Sequence, residues 1–439
     1  MPRYQNKTML RLVDNAKGTD VFKTDQLQYD LSALRFLWSG VDSIRQLYIC
    51  NLKEDLLTRI EHHYQISSSD IIEMGGHEWK LSSSGKKSGY KYIFKNLELG
   101  FVVLVKSFYV EADKRGSHIK IEATPQIIDQ LGLAKLTNRL REIANIFGDT
   151  IEANGLAVHL ACDMKGLELP EDFERKLVTH SKRSYKAHGI ADISSHTISE
   201  MAVTYGQNQT YMFGTPTSIQ MCLYDKTLES LKSDKLAFCE SLWLRTPSVE
   251  DIFSPEYNDG SDGNEPDKVN RLEFRIHHSI IREFENGSFN EQGKQLTIRE
   301  PIDLVKHLQP LWEYCLNAYR LQHSSTYIHP IWQKLSEDVR FAFLDGNEGY
   351  MYKRAPKRSL EGPGRRNVAM WLGNVLRLSA RKGLTTDYVT RKLLSSGLDA
   401  DLADYFGLLL YGNSDELTMI LRDFVDNKMR SLRLEGVAA

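Results

Sequence analysis

Tyr224 stands near the end of TYMFGTPTSIQMCLYDKTLE (Thr210 to Glu229) and is followed at once by Asp225 and Lys226. A phenol titrates near 10, so it serves as a nucleophile only beside a cation or a base. If the strand continues, Lys226 lies two residues on, on the same face and about 7 Å away. There it could hold an anion or stabilise a phenolate. Pairing with Asp225 or Glu229 is the purely structural role open to it. Three other stretches put polar groups at alternate positions: Glu122 in HIKIEATP, His159 and Asp163 in LAVHLACD, and Arg271, Glu273 and Arg275 in NRLEFRI. Any strand with one wet face shows polar residues. A single face bearing carboxylates, an imidazole, a tyrosine and several cations is more than packing requires.

The elements that must position these groups can be read in chain order. Residues 1–33 are polar and mixed in charge, which suits an N-terminal arm. LRFLWSGVDSIRQLYICN, from Leu34, alternates around Gly-Val-Asp and suggests two paired strands joined by a turn, and KEDLLTRIEHHYQ follows with helical spacing. YKYIFKNLEL, FVVLVKSFYV and HIKIEATP read as successive strands. IIDQLGLAKLTNRLREIANIFG reads as a helix broken near Gly132, and LAVHLACD as a further strand. PEDFERKLVTHSKRSYKAHG opens with proline and acids, as helices do, and ends in the cations Lys182, Arg183 and Lys186. Those cations suit a helix C-terminus as well as they suit a phosphate.

An acidic Pro/Gly/Asn/Asp-rich segment at 247–268 reads as a flexible loop. NRLEFRIHH then returns to strict alternation, with Leu272, Phe274 and Ile276 on one side. Helical segments follow near 302–320 and 331–343. KRAPKRSLEGPGRR (Lys353 to Arg366) carries six cations, Lys353, Arg354, Lys357, Arg358, Arg365 and Arg366, against one anion, with two prolines and two glycines. It reads as a basic linker over 346–366, able to contact phosphate or to act as a solvated hinge. Beyond it, 367–439 is helical, with one apolar stripe at Val368, Trp371, Leu372, Val375 and Leu376. TTDYVTRKLLSSGLDADLADYFG places two short helical patterns around a glycine turn, as helix-turn-helix readers and plain bundles both do. The fold class expected is α+β, a mostly antiparallel sheet with helices on one face over 34–345, plus a C-terminal all-helical domain.

Composition narrows the field. With 439 residues there is enough chain for two or three domains. Lys plus Arg number 56 against 58 Asp plus Glu, so any basic surface must be local. Five widely spaced cysteines without a CxxC pair argue against a disulfide framework or a zinc ribbon. No signal-like N-terminus and no apolar run of about 18 residues is found. A cytoplasmic protein with no membrane span is expected.

The order and wording of these strands, HIKIEATP, LAVHLACD, TYMFGTPTSIQMCLYDKTLE and NRLEFRIHHSIIREF, resemble the rolling-circle replication initiators of the replication initiation factor family. That family includes staphylococcal plasmid initiators and is related to relaxases of integrative elements. The likeness runs from about Leu34 to about Leu311. It implies that Tyr224 attacks a DNA phosphodiester, becomes linked to the 5′ phosphate and frees a 3′ hydroxyl that primes synthesis. It also implies a divalent metal, magnesium or manganese, with Glu122 and His159 as favoured ligands, Asp163 as second choice and Glu273 as a further one. On one extended strand His159 and Asp163 are about 13 Å apart, too far to share an ion.

The chain departs from the family pattern at three places. Ala157 and His159 stand where arginine and aspartate are usual, and Cys222 stands where an arginine precedes the tyrosine. Lys182, Arg183, Arg271, Arg275 and the linker cations are expected DNA contacts. Single-stranded or extruded origin DNA, a host helicase and a second copy of the chain are the expected partners. The rival expectation is a DNA-binding regulator or copy-control protein that keeps the scaffold without the chemistry.

Overall fold

The computed structural model describes residues 7–66, 69–84, 88–179, 211–244, 267–341, 349–355, 365–406 and 414–436. The chain divides into two compact units, Met1–Ala355 and Pro356–Ala439. The boundary falls inside the expected basic linker. The residues just before it are tied to the first unit: Ala355 N–H donates to the Glu283 carbonyl, and Arg354 pairs with the Glu283 carboxylate at 2.7 Å.

The first unit opens with a three-stranded antiparallel sheet of β1 (Leu10–Asp14), β2 (Thr19–Lys23) and β3 (Gln28–Asp30). This corrects the expected loose arm. Arg11 grips Asp20 through Nε and Nη2, and Lys334 pairs with Asp20 as well, so buried charges fasten the segment to the rest of the unit.

The main sheet is α+β in construction and wholly antiparallel. Its strands in chain order are β4 (Arg35–Leu52), β5 (Ile71–Met74), β6 (His77–Ser83), β7 (Tyr90–Asn96), β8 (Phe101–Ser107), β9 (Gly116–Ala123) and β10 (Gly148–Lys165). After a short separate strand β11 (Leu177–Thr179) come β12 (Tyr211–Gly214), β13 (Ile219–Asp225) and β14 (Val269–Ile276). The ten strands lie in the order β12-β13-β14-β10-β4-β9-β8-β7-β6-β5. The two 18-residue strands at its centre, β4 and β10, carry Asp42, His159 and Asp163, and the neighbouring β13 and β14 carry the rest of the site.

Two local readings change. Gly-Val-Asp is no turn: β4 runs unbroken for 18 residues. The helix expected from Pro170 lasts one turn, α3 at Phe173–Lys176 (α1, Leu56–Ile66, and α2, Pro125–Phe147, precede it). The chain then becomes β11 and pairs with β15 (Tyr319–Leu321). By contrast, Gly132 breaks the ladder of α2 with φ +65, as its lack of a Cβ permits.

One face of the sheet is apolar, carrying Ile44, Ile121, Leu160, Met221, Leu272 and Phe274, and α2 packs there through Leu136, Leu140 and Phe147. Further cover comes from α1, through Leu56 and Ile60, and from α6 (His278–Gly287), α8 (Leu308–Ala318) and α9 (Pro330–Asp338), which contribute Phe284, Trp312 and Trp332 to the same cluster. α7 (Pro301–Leu304) is a short turn between them. A helical pair after β13, α4 (Lys226–Lys232) and α5 (Leu236–Trp243), lies instead on the polar face, where Cys239 and Trp243 pack on Val269 and Trp38. All five cysteines are buried thiols.

The second unit contains α10 (Arg365–Arg381), α11 (Thr386–Leu394), α12 (Asp399–Phe406) and α13 (Ser414–Leu434). They close a core of their own from Val368, Leu372, Leu376, Leu393, Leu421 and Val425. No described helix is long and apolar enough to cross a membrane.

Two histidines cap helices in the first unit and make its stability acid-sensitive. His329 Nδ1 accepts the Ile331 N–H and His277 Nδ1 accepts the Ser279 N–H, each at 3.3 Å. Burial lowers both to about 4, reinforced by Arg45 and Lys120 at His277 and by Lys176 at His329. An unfolded histidine titrates near 6.5, so between about 6.5 and 4 the unfolded chain binds more protons and stability falls as pH falls. His329→Asn keeps a capping acceptor and removes the titration. Its urea midpoint should decline less than that of the wild type between pH 6.5 and 4.5; equal declines would contradict the assignment.

Candidate active site and metal centre

Register alone assembles the polar face into rows. Tyr224 on β13 lies opposite Arg271 on β14, which lies opposite Asp163 on β10, which lies opposite Trp38 on β4. The next row is Cys222, Glu273, Ala161 and Gly40, in which Glu273 is the one long side chain. The row beyond is Gln220, Arg275, His159 and Ser43. Small neighbours in the middle row let the larger groups on either side lean towards Glu273.

One residue enters through an irregularity. His159 pairs with Ser43 but Leu160 pairs with Val41, so Asp42 is an extra residue in β4, a β-bulge. Val41 and Ile44 both belong to the apolar core, while Asp42 and Ser43 between them line the pocket on the polar face. The bulge thus delivers a carboxylate where plain alternation would not.

Glu273 is the hub. His159 Nδ1 lies 2.8 Å from its Oε1, Arg275 donates through Nε to Oε1 at 2.9 Å and through Nη2 to Oε2 at 3.1 Å, and the Tyr224 hydroxyl donates to Oε2 at 3.3 Å. Burial opposes its ionisation, yet Arg275 and His159 hold Glu273 well below the usual carboxylate range. An ionised carboxylate only accepts, so His159 carries its proton on Nδ1 and keeps a lone pair on Nε2. Burial pushes His159 down, with Glu273 pulling the other way. Burial, and then the Glu273 charge, push the Tyr224 hydroxyl well above its ordinary value.

Asp42, His159 and Glu273 each offer a ligand atom, and these atoms lie within 4.8 Å of one another, all three residues being buried. Two carboxylates and an imidazole at that spacing fit the coordination sphere of a divalent ion, and the imidazole suits manganese better than magnesium.

The expected ligands therefore separate. His159 and Glu273 come together, and Asp42 replaces the other two. Asp163 is fully engaged: Arg271 Nε and Nη2 hold it at 2.6 and 2.7 Å, and Trp243 Nε1 donates at 2.7 Å. Glu122 lines the same pocket but pairs with Arg45 at 3.4 Å and Lys120 at 3.5 Å, outside the cluster of three. Burial works against its charge, and Arg45 and Lys120 outweigh that and lower it. Arg45 stands opposite Ala157 on the adjoining strand.

Lys226 is not on the strand. The strand ends at Asp225, whose side chain caps α4 by accepting the Leu228 N–H at 3.0 Å, and Lys226 begins the helix and pairs with Glu229. Both still line the pocket.

Of the expected DNA contacts, Arg271 is 2% exposed and spends its donors on Asp163 and Asp42, with Trp38 stacked at 5.0 Å. It is a structural cation. Arg275 holds Glu273. Arg354 pairs with Glu283, and Lys353 donates its backbone N–H to Ser288. Lys182, Arg183, Lys357 and Arg358 lie outside the described residues, as do the side chains of Arg365 and Arg366 and the acidic loop apart from its last two residues.

Gly40 explains how Trp38 reaches Arg271. A Cβ built there would sit 2.5 Å from Trp38 Cζ2, so the indole folds across the glycine. Gly40→Val should displace the ring and destabilise the first unit by about 1–3 kcal/mol, with a red-shifted tryptophan emission. An unaltered spectrum and urea midpoint would mean that the ring does not depend on this glycine.

Compared with known proteins, the chain is 33% identical over 359 residues to uncharacterized protein ORF430 of Pseudomonas phage Pf1, spanning 80% of this chain and 79% of that one. The chain belongs to the ORF430 family. No protein-family model and no solved structure matches it. Membership of the ORF430 family places the chain beside a phage-encoded protein.

Proposed function

We propose that the chain is a replication initiator or relaxase that nicks one DNA strand through Tyr224. The observation that carries this reading is the bond from the Tyr224 hydroxyl to Glu273, a carboxylate that also belongs to the Asp42–His159–Glu273 cluster. Nucleophile and candidate metal ligands thus share one residue. A phage-encoded relative accords with a role in copying a small replicon.

In the proposed step the Tyr224 oxygen forms a bond to phosphorus and the bond from phosphorus to the 3′ oxygen breaks. The Glu273 carboxylate orients the phenolic oxygen through its hydrogen bond, the phenolic proton is lost to solvent as the new bond forms, and the 3′ oxygen takes a proton from solvent and leaves as a hydroxyl. A divalent ion held by Asp42, His159 and Glu273 would supply charge to polarise the scissile phosphate. The target is single-stranded or locally extruded DNA, because a side chain in a sheet pocket cannot reach a phosphate of chosen geometry in an undisturbed duplex.

Incubation of the full-length chain with manganese and single-stranded DNA from its own replicon should give a protein–DNA complex that survives denaturant and is absent with EDTA. Asp42→Asn should weaken that metal dependence, raising the manganese needed for half-maximal nicking by roughly tenfold or more.

A second reading, a DNA-binding regulator without chemistry, draws on one observation. Burial holds the Tyr224 phenol in its neutral form, and guanidinium groups neutralise both cluster carboxylates. Sequence-specific binding with no cleavage in either magnesium or manganese would favour it.

A further inference from the structure

A strand brought to Tyr224 carries a negative charge on every phosphate, and most cations in and around the pocket are already committed. Arg271 serves Asp163 and Asp42, Lys226 pairs with Glu229, Arg45 and Lys120 attend Glu122, and Arg275 holds Glu273. A cation that neutralises a buried carboxylate cannot turn to a phosphate without stranding that carboxylate. Lys235 differs. It lines the same pocket as Tyr224, it is half-buried, and among the described residues its ammonium has no hydrogen bond or ion pair.

The backbone fixes its place. Asp234 adopts φ +55, in the left-handed region, and turns the chain between α4 and α5. The Lys235 N–H then donates to the Ser230 carbonyl at 2.9 Å, and the Lys235 carbonyl accepts the Cys239 N–H at 3.0 Å as α5 begins. Phe238 follows three residues on, and side chains three apart share a helix face. It also lines the pocket and is half-buried, packing against the cluster of Cys239, Leu242 and Trp243. By contrast Tyr224, Glu273 and Arg271 in the same pocket are only 4, 1 and 2% exposed. A strand arriving from solvent meets Lys235 and Phe238 before it meets them.

A cation beside an aromatic ring is the pairing that holds single-stranded DNA with little regard to sequence, the cation taking a phosphate and the ring stacking on a base. We infer that Lys235 and Phe238 bind the strand at the mouth of the pocket, the ammonium on a phosphate and the ring against the adjoining base. This rests on reading DNA as the substrate of Tyr224. Both residues act in binding, and neither takes part in the bond exchange.

The test is fluorescence anisotropy of a labelled oligothymidylate about a dozen residues long with the full-length chain, in EDTA so that nothing is cut, over a range of potassium chloride concentrations. On a single strand each phosphate contact contributes about 0.7 to the fall of log affinity with log salt. Lys235→Met keeps the apolar stem and removes the charge, so its slope should be shallower by about 0.7. Lys235→Arg should keep the wild-type slope. Phe238→Leu keeps an apolar side chain and removes the aromatic face, so affinity should fall at least about fivefold at every salt concentration with the slope unchanged. A general loss of structure would not separate charge from stacking in this way, and urea midpoints report on folding. Should Phe238→Leu not fold, Phe238→Tyr, which keeps a stacking face, should bind as the wild type does.

A wild-type slope in Lys235→Met, or wild-type affinity in Phe238→Leu, would overturn the inference, and a covalent complex still formed through Tyr224 would leave the proposed function standing without it. A chain that binds no oligonucleotide at any salt concentration would overturn the inference and DNA as the substrate together. The two expected losses in a chain that forms no covalent complex would support the inference and favour a DNA-binding protein without chemistry.

Discussion

Tyr224→Phe is expected to lower covalent complex formation by at least on the order of a thousandfold while leaving the fold in place. The ring is buried beside Cys222 and Met212, and phenylalanine fills the same space. The change deletes one hydroxyl whose single bond, to Glu273, is 3.3 Å long. Stability should therefore shift by no more than about 1 kcal/mol, and the urea midpoint provides the control. Loss of the complex with an unchanged midpoint separates chemistry from structure. A covalent complex that persists at wild-type yield would remove Tyr224 from the proposal.

Arg271→Leu should have the largest effect on stability. The substitution strands Asp163, which is wholly buried, and leaves Asp42 without its guanidinium. Breaking one side of a buried ion pair costs about 3–5 kcal/mol, because the remaining charge is left without compensation. Here the guanidinium serves two carboxylates and also lies against Trp38. That is a large part of a domain's typical 5–15 kcal/mol, so the first unit should be partly unfolded under mild conditions. Adding Asp163→Asn removes the orphaned charge and should recover part of the loss, as Trp243 can still donate to the amide oxygen. A single variant that loses less than about 1 kcal/mol would contradict the reading of Arg271 as the electrostatic anchor of the site.

How far the site could be read from the sequence depended on alternation. Arg271, Glu273 and Arg275 share a face because side chains alternate along a strand, and Tyr224 joins that face by pairing with Arg271. His159 was expected beside Glu122, with Glu273 a further ligand, and only the register of β10 against β14 makes His159 and Glu273 neighbours. Asp42 was not expected. Its place depends on a bulge that shifts register by one residue, and Gly-Val-Asp carries the composition of a turn. Gly40 in that segment answers to the bulk of Trp38.

Lys226 failed for a related reason. The rule of two holds only while the strand lasts, and Asp225 ends it by capping a helix. The Asp163 carboxylate could have served as a ligand or as the partner of an arginine. Only the cross-strand pairing of Asp163 with Arg271 decides between them.

The hairpin of β5 and β6 was not read from the sequence, although Ile72, Met74, Trp79 and Leu81 alternate around Gly75 and Gly76, both at positive φ, which is the pattern of a two-residue turn.

The most direct measurement is mass spectrometry of the nuclease-trimmed covalent complex formed by the wild-type chain with manganese and single-stranded DNA of its own replicon. A nucleotide 5′-phosphate on the peptide containing Tyr224, with fragment ions placing it on that phenol, is the predicted result. A nucleotide on any other residue, or cleaved DNA with no attached nucleotide, would contradict it.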